Sequence, residues 1–553
     1  MTPDIFLRAC QRFGLAASLA LGLLLISMLL LALPLSLPLG PSYCDLFMYL
    51  DAGHRIAAGE IPHCDFFAVM GPLSTYLHAA LTALFPTAHP LLAAQYGVTL
   101  VAAPALAIAT RDTGRGVTLL VWGLFTTQAL LPVNFDAFPE PYLNAGAAGN
   151  GIYNRQAGLL LYALTALFWL GRPTRSAAAA AALCMAALAL IKITGIAGAL
   201  PILMWAVIAR QLLLRPFVIT CAALIALIAL IDLPTGMIRA YLHDMVDMGR
   251  ASGAGGILFR LREAAQAHVA MVVALALVFT ANALQALRKI KLGAGTLETL
   301  RGDPALAIAA LSLTGLVVES QNTGAQNFAF ILPALVRLGV DALQQARVVP
   351  LALAATIGTG ALLCAQIAER GARFVKAAIS YKAVPALHAT PFRVLVQHGD
   401  ISRAKQLEGY VIESNAGGTP MPDLFNYGAH FIPAWHLMTI TEQVDLAARV
   451  RAYEQNTGRR FETVVELDFT DPLALILDRR PITGLSTVYD PGRMMFPRLS
   501  KRLLAGLAQA EAIFVPHCPK SGYRLDYLTR AAPVLEGRER VEFGPCWTGY
   551  LKR

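Results

Sequence analysis

Charged residues are scarce in this sequence. They make up 14% of its 553 residues, whereas 56% are hydrophobic. A soluble domain carries roughly a quarter charged residues, so this composition excludes an ordinary globular protein and indicates an integral membrane protein. The formal net charge is +10. The basic residues stand mainly in short links between apolar runs, without a basic and aromatic patch, which argues against a nucleic-acid partner.

Several signatures of catalytic and metal sites are also missing. No glycine-rich phosphate loop follows any predicted strand, so the sequence predicts no nucleotide site. The lack of a Gly-x-Ser-x-Gly segment excludes the hydrolases that use this motif. His54, His63 and Asp65 do not have the spacing of a zinc site, so no metal ligand is assigned. A requirement for a divalent cation stays open.

Long apolar runs are what the sequence has instead. A bilayer core of about 30 Å requires about 20 apolar residues in a helix. Runs of this kind lie near 14–36, 89–110, 116–133, 156–171, 177–194, 197–210, 216–233, 267–287, 304–319, 328–344 and 348–367. They predict a polytopic α-helical membrane protein with about eleven transmembrane helices.

The basic residues between the runs orient the chain. Arg8 and Arg12 precede the first run, and Arg288 and Lys289 follow the eighth. If 177–210 contains two spans, every basic cluster falls on one side, which the positive-inside rule makes cytoplasmic. The N-terminus is then cytoplasmic and the C-terminus periplasmic, in a bacterial inner membrane. A cleaved signal peptide over the first run is the alternative.

This topology divides the chain into two parts. Residues 1–367 form a transmembrane domain, and residues 368–553 form a soluble domain, the tail, on the external side. Strands and helices alternate in the tail, with strands near 392–397, 463–469 and 512–515 and helices from Thr441 and over 497–510. The alternation predicts an α/β domain with a partly parallel sheet.

The predicted topology places two pairs of cysteines on the external side of the membrane. Eight in this length are too few for a disulfide scaffold. Cys44 and Cys64 share the first external loop, whereas Cys518 and Cys546 share the tail. Because the external compartment is oxidising, each pair could form a disulfide or remain as two thiols, and both interpretations stay open.

The first external loop, residues 37–88, concentrates ionisable side chains next to the first span. They are Asp45, Asp51, His54, Arg55, Glu60, His63 and Asp65. Apolar residues recur at helical spacing over 45–57, which predicts an interfacial helix lying on the bilayer. Asp45 would begin this helix at the membrane surface, where a carboxylate can meet a soluble hydroxyl group and a lipid headgroup together.

Three features of the same loop stand in a fixed order. Asp45 is an acidic residue just after the first span, residues 59–66 read Gly-Glu-Ile-Pro-His-Cys-Asp-Phe, and residues 71–73 read Gly-Pro-Leu. In this the loop resembles the GT-C superfamily of membrane glycosyltransferases, which includes aminoarabinose transferases and protein mannosyltransferases. The resemblance covers chiefly residues 40–90, extends more weakly through the transmembrane domain, and leaves out the tail. The sequence departs from the family at Leu46, where a second acidic residue is common.

The resemblance implies an inverting glycosyltransferase. It would move a sugar from a polyprenyl-phosphate donor to an acceptor at the external membrane face. Asp45 would act as the general base, or orient the acceptor, for direct displacement at the anomeric carbon. The leaving phosphate needs cationic partners, and Arg155 and Lys192 are the candidates. The acceptor, whether lipid, polysaccharide or protein, is not specified.

Further polar residues are candidate substrate ligands: His63, Asp65, Glu319, Gln321 and Gln326. Each candidate also has a structural interpretation that stays open. Asp45 could cap a helix, and Asp65 could anchor its loop. Arg155 and Lys192 could extend their charges toward the membrane surface. The polar group at 319–326 could simply mark the ends of two helices.

Two other classes of protein compete with the enzyme. A transporter or flippase of a lipid-linked or polar substrate would carry inverted repeats and paired broken helices with ionisable groups at mid-membrane. Lys192 is the one deep candidate that the sequence offers for such a role. A scaffold whose tail binds an envelope partner would leave Asp45 dispensable.

Overall fold

The computed structural model is mainly helical. It describes residues 14–40, 43, 45–135, 146–149, 151–251, 256–293, 295–296, 301, 303–321, 327–344, 350–388, 390–416, 433–490, 497–518 and 522–553. Among these residues, five helical segments are long and apolar enough to cross a membrane: Leu15–Ala32, Pro90–Thr110 (two consecutive helices), Leu214–Thr235, Val269–Lys291 and Ala352–Ser380. The class predicted from composition, a helical membrane protein, agrees with this architecture.

A helix occupies each of the eleven predicted apolar runs. The helices up to residue 208 are α1 (Leu15–Ala32), α2 (Asp45–Ala57), α3 (Pro72–Leu84), α4 (Pro90–Tyr96), α5 (Thr99–Thr110), α6 (Arg115–Leu130), α7 (Ile152–Trp169), α8 (Arg175–Ile191) and α9 (Ile193–Ile208). They are followed by α10 (Leu214–Thr235), α11 (Met237–Ala251), α12 (Ile257–Ala267), α13 (Val269–Lys291), α14 (Pro304–Gln321), a 3-10 turn (Asn327–Ile331), α15 (Leu332–Gln344) and α16 (Pro350–Ser380). Because five in the described part of the chain meet the length and hydropathy of a span, the count of eleven stays a prediction.

Apolar side chains on the outside of the bundle fit a lipid environment. Ile225, Leu230 and Leu233 of α10 are 66%, 64% and 75% exposed. A row of large exposed apolar side chains on one helix is unfavourable in water, whereas a hydrocarbon phase accepts it. The exposed face of α10 therefore suits contact with lipid tails.

The tail contains two sheets and several helices. Its helices are a 3-10 turn (Pro385–Leu387), α17 (His398–Ala416), α18 (Pro433–Thr457), α19 (Leu473–Leu477), α20 (Pro497–Gln509) and α21 (Gly522–Leu535). The strands among all described residues are β1 (Leu37–Pro38), β2 (Lys382–Ala383), β3 (Val394–Val396), β4 (Val464–Glu466), β5 (Ala512–Pro516), β6 (Glu539–Glu542) and β7 (Trp547–Leu551). The larger sheet has the order β4-β5-β7-β6, and only β4 and β5 run parallel. The predicted partly parallel sheet is confirmed.

The tail is joined to the bundle by pairing and by packing. Strand β1, which follows the first helix, runs parallel to β3 of the tail. The ring centroids of Phe47 in α2 and Phe392 in the tail are 4.9 Å apart. One buried apolar cluster continues from the bundle into the tail. The last helix of the bundle also continues to Ser380, past the predicted boundary at 367.

Helix α2 begins at Asp45 and ends at Ala57, so the helix predicted over 45–57 is confirmed. Its surroundings differ from those of a helix lying on a bilayer with its polar side in water. The Nε2 atom of His54 lies 2.7 Å from the carbonyl oxygen of Arg479, and Arg55 donates to the carbonyl oxygen of Ile482. The tail therefore covers the polar side of the helix, which local periodicity cannot reveal.

The structure describes both cysteines of one candidate disulfide and only one cysteine of the other. Cys518 and Cys546 form a disulfide within the tail. Cys64 has a free thiol, and its Sγ donates to the carbonyl oxygen of Thr235. Cys44, its predicted partner, lies outside the described residues.

Candidate functional site

The apolar stretch that includes α8 and α9 is interrupted at Lys192. Helix α8 ends at Ile191 and α9 begins at Ile193, and Lys192 between them has extended backbone angles (φ −153°, ψ 106°). The two spans predicted within 177–210 are thus two helices, and the break between them falls at Lys192. Interrupted helices at membrane depth are tolerated where they lie inside protein or line a cavity. The break therefore marks a place where backbone and charge can serve a site.

The ammonium group of Lys192 donates its hydrogen bond to a neutral side chain. Its Nζ donates to Oδ1 of Asn154 at 2.6 Å and lies 5.3 Å from the ring centroid of Tyr153. No carboxylate of a described residue forms an ion pair with it, and Glu319 acts on it only at longer range. The side chain is partly buried. An ammonium has three N–H donors, so this one can still donate to an anionic ligand.

Gly71 of the Gly-Pro-Leu segment lies directly against this break. Its N–H donates to the carbonyl oxygen of Ile191 at 2.8 Å, and a Cβ atom on Gly71 would be 2.2 Å from the carbonyl oxygen of Leu190. Only glycine allows so close an approach of two backbones. Pro72 then begins α3, where its missing N–H costs nothing.

Arg155 is buried and hydrogen-bonded to three other segments, so its side chain does not extend toward the membrane surface. Its guanidinium donates to Oε1 of Gln95 at 2.9 Å, to Oδ1 of Asn134 at 2.6 Å and to the carbonyl oxygen of Ala148 at 2.8 Å. The side chain is 5% exposed. These contacts fix the start of α7, which also carries Asn154 and Tyr153.

Asp45 stands in the first turn of α2, partly buried, one helical turn before Tyr49. A carboxylate in this position is stabilised by the helix dipole. Burial raises the pKa of the Tyr49 phenol, and the charges of Tyr153 and Asp45 raise it further, while its hydrogen bond to Ser74 and the charge of Arg155 lower it. The phenol of Tyr49 is therefore within electrostatic range of both Asp45 and the start of α7.

The loop 59–67, which carries the Gly-x-x-Pro-His-x-Asp-Phe segment, is bound by the tail. Phe67 donates its N–H to the carbonyl oxygen of Leu485 at 3.0 Å, and the N–H of Gly484 donates to the carbonyl oxygen of Asp65 at 2.6 Å. The carboxylate of Asp65 accepts from the N–H of Ile61 at 2.7 Å. This hydrogen bond agrees with the structural interpretation of Asp65, in which its side chain anchors the loop.

His63 is fully buried on the other side of the same loop. Its Nδ1 lies 2.9 Å from Oδ2 of Asp244 in α11, and its ring centroid lies 4.9 Å from that of Tyr241. The backbone of His63 has a positive φ of 68°. This contact joins the loop to α11, and a role of His63 in substrate binding stays a prediction.

Glu319 pairs with a histidine that the sequence did not single out. Oε2 of Glu319 in α14 lies 3.2 Å from Nε2 of His268, at the junction of α12 and α13, and both side chains are 2% exposed. Glu319 is thus placed in the interior, and its Oε1 accepts no hydrogen bond from the residues that the structure describes. Gln321 ends α14, but its side chain and all of Gln326 lie outside the described residues.

A second ionic group lies between α2 and the tail. Arg55 donates to both carboxylate oxygens of Asp51, at 3.0 and 2.9 Å, and to Glu60 at 3.1 Å. Burial raises the pKa of the Asp51 carboxyl, although Arg55 acts in the opposite direction. Burial and the charge of Asp51 together raise the pKa of Asp471 to about 7. This group joins the domains and does not contact Lys192.

The structure brings the candidates together in part. Lys192 contacts Asn154 and Tyr153, and Asp45 and Arg155 lie within electrostatic range of Tyr49. His63 and Asp65 instead belong to the contacts of the loop 59–67 with α11 and the tail. Asn154, Tyr49 and His268 were missed because a single neutral or isolated polar residue gives no motif in the sequence. Among the described residues, no group of three or more His, Cys, Asp or Glu could hold a metal ion.

Comparison of the chain with protein-family models and with curated proteins gives no match. The fold and the apolar helices define a class, that of helical proteins suited to a membrane. The resemblance to GT-C glycosyltransferases therefore stays a prediction from the motifs in the first loop.

Proposed function

We propose that this protein is an inverting glycosyltransferase that uses a polyprenyl-phosphate sugar at the external face of the bacterial inner membrane. The single observation that carries the proposal is Lys192, a partly buried ammonium at a helix break with a neutral hydrogen-bond acceptor, Asn154. A charged side chain in apolar surroundings is unfavourable unless it binds a ligand or forms an ion pair. An anionic group reaching the break from the lipid phase would be such a ligand.

The charge and the surroundings together favour a lipid-borne phosphate. A phosphate accepts strong hydrogen bonds from an ammonium, and its attraction increases where water is excluded. The break lies between apolar helices that suit a bilayer. A donor with an apolar chain and a phosphate head would satisfy both conditions at once.

The reaction then needs one base. The hydroxyl oxygen of the acceptor bonds to the anomeric carbon, and its proton passes to the carboxylate of Asp45. The bond between the anomeric carbon and the phosphate oxygen breaks, and the polyprenyl phosphate leaves with the electron pair. Lys192 would stabilise the negative charge that grows on that phosphate. Direct displacement inverts the configuration at the anomeric carbon.

A transporter or flippase of the same lipid-linked sugar is the second candidate. The observation in its favour is that the broken helix carrying Lys192 faces a buried pair of ionisable groups, His268 and Glu319. Discontinuous helices with charged residues are the usual substrate sites of transporters. Asp45 has no role in this candidate.

The experiment uses the purified full chain in lipid nanodiscs. Binding of polyprenyl phosphate is compared with that of the uncharged polyprenol, and transfer is assayed with polyprenyl-phosphate mannose and aminoarabinose. We expect Lys192→Met to weaken phosphate binding about tenfold to a hundredfold. Asp45→Asn should keep binding and lower transfer about a hundredfold or more.

Matched controls are Lys289→Met at the end of α13 and Asp112→Asn after α5, both remote from the break. Equal binding of polyprenyl phosphate and polyprenol, unchanged in Lys192→Met, would overturn the proposal. Movement of labelled lipid across the bilayer without transfer, and without an effect of Asp45→Asn, would favour the transporter.

A further inference from the structure

One tyrosine hydroxyl joins the two helix ends on either side of Lys192. The hydroxyl of Tyr241 accepts from the N–H of Ile193 at 3.1 Å and donates to the carbonyl oxygen of Ala189 at 2.9 Å. Ile193 begins α9, so its N–H has no partner within its own helix. The side chain of Tyr241 is 1% exposed and comes from a different helix, α11.

We infer that Tyr241 is a positioning residue for Lys192 and that α11 transmits the docking of the tail to this break. The inference rests on the proposed function, because it assigns Lys192 the same lipid phosphate as ligand. Tyr241 itself does not touch that ligand. It acts by fixing the extended backbone from which the ammonium group projects.

The link from Tyr241 to the tail is continuous. Tyr241 and Asp244 are three residues apart on α11 and so lie on one side of the helix. Asp244 contacts His63 of the loop 59–67, and the ring of His63 packs against that of Tyr241. In the tail, Arg502 of α20 donates to the carbonyl oxygens of His63 at 3.2 Å and Cys64 at 2.8 Å.

A positioning residue is needed because the backbone at a helix break can adopt more conformations than a continuous helix. Lys192 keeps the hydrogen bonds of its own backbone N–H and C=O, but the direct bond from the N–H of Ile193 to the carbonyl oxygen of Ala189 that a continuous helix would form is replaced by the bridge through Tyr241. Without that bridge the break could take several conformations, and the side chain of Lys192 could point in several directions. A ligand would then lose binding free energy in ordering it, and a preorganised donor avoids that cost. The Tyr241 hydroxyl holds both helix ends, and the N–H of Gly71 donates a further hydrogen bond to the carbonyl oxygen of Ile191.

Tyr241→Phe tests this directly, because it removes the hydroxyl and keeps the ring that packs on His63. Two quantities are measured on the full chain in nanodiscs: the affinity for polyprenyl phosphate, and the rate at which acetic anhydride acetylates Lys192 relative to Lys289. We expect the affinity to fall about tenfold and the relative acetylation of Lys192 to rise. The matched control is Tyr162→Phe, which removes a buried hydroxyl that donates to the carbonyl oxygen of Val121.

The connection to the tail is tested by Arg502→Met, with Arg540→Met on the exposed strand β6 as its control. Increased acetylation of Lys192 in Arg502→Met alone supports the connection, and this variant also serves if Tyr241→Phe does not fold. Acetylation and affinity at wild-type levels in Tyr241→Phe would overturn the inference. If Lys192→Met leaves phosphate binding unchanged while Tyr241→Phe alters acetylation, the proposed function fails and the positioning role stands.

Discussion

The imidazole of His63 and the carboxylate of Asp244 lie 2.9 Å apart, with side-chain exposures of 0% and 1%. This contact joins the loop after the first helix to α11, an amphipathic helix far along the chain. A buried carboxylate and imidazole stabilise each other as long as both are present. The pair therefore belongs to the framework that holds the loop in place.

Removal of one partner should destabilise the protein. We expect Asp244→Ala to lower the free energy of unfolding by about 1–3 kcal/mol, because it leaves the Nδ1 atom of His63 buried without its acceptor. Thermal unfolding in detergent measures the effect. Asp247→Ala is the control on the same helix, since Asp247 faces the exposed His243 at 3.7 Å. Equal losses in the two variants would contradict the prediction.

Gly71→Ala should disturb the break at Lys192. The added methyl group would meet the carbonyl oxygen of Leu190 at 2.2 Å, so α8 or α3 must move. We expect a loss of about 1–3 kcal/mol in stability and weaker binding of polyprenyl phosphate. Gly123→Ala in α6, where a Cβ atom meets nothing within 4 Å, should be neutral or stabilising. Unchanged phosphate binding in Gly71→Ala would argue against this contact.

The contact between α2 and the tail should depend on pH through Asp471. The folded protein holds a proton on this carboxyl up to about pH 7, whereas the unfolded chain releases it near pH 4. The unfolded state then binds fewer protons between these values, so stability falls as the pH rises from about 4 to about 7.

Asp471→Asn removes this titration. We expect it to gain stability at pH 8, on the order of 1–3 kcal/mol, and to flatten the pH profile of thermal unfolding. The control is Asp526→Asn, because a hydrogen bond from Arg530 lowers the pKa of Asp526. A steeper profile in Asp471→Asn than in the wild type would refute the sign of the effect.

The disulfide between Cys518 and Cys546 gives a test of sidedness. Disulfides persist in oxidising compartments, so the bond should form if the tail is external. Protein from membranes is denatured without reductant, alkylated and analysed by mass spectrometry. We expect the Cys64 peptide to be alkylated and the other two to remain joined, and reduction to cost about 2–5 kcal/mol in stability. Alkylation of all three before reduction would place the tail in a reducing compartment.

Local pattern was enough to predict most of the elements. The apolar runs, the helix over 45–57 and the strands near 463–469 and 512–515 all recur in the structure, because periodicity and propensity act within a few residues. Helix α18 begins at Pro433, earlier than the predicted start at Thr441, and strands β6 and β7 were missed. Short strands with mixed polarity owe their place to pairing partners rather than to their own sequence.

The sequence by itself determined that this is an apolar, mainly helical chain with a charge at a helix junction, since hydropathy and the interruption around Lys192 are local properties. The tertiary structure alone decided what surrounds that charge and what the loop 59–67 contacts. Asn154, Gly71 and the tail reach these places from distant parts of the chain. Contacts of that kind depend on how the helices pack against each other, and the spacing of residues within one segment of sequence cannot predict them.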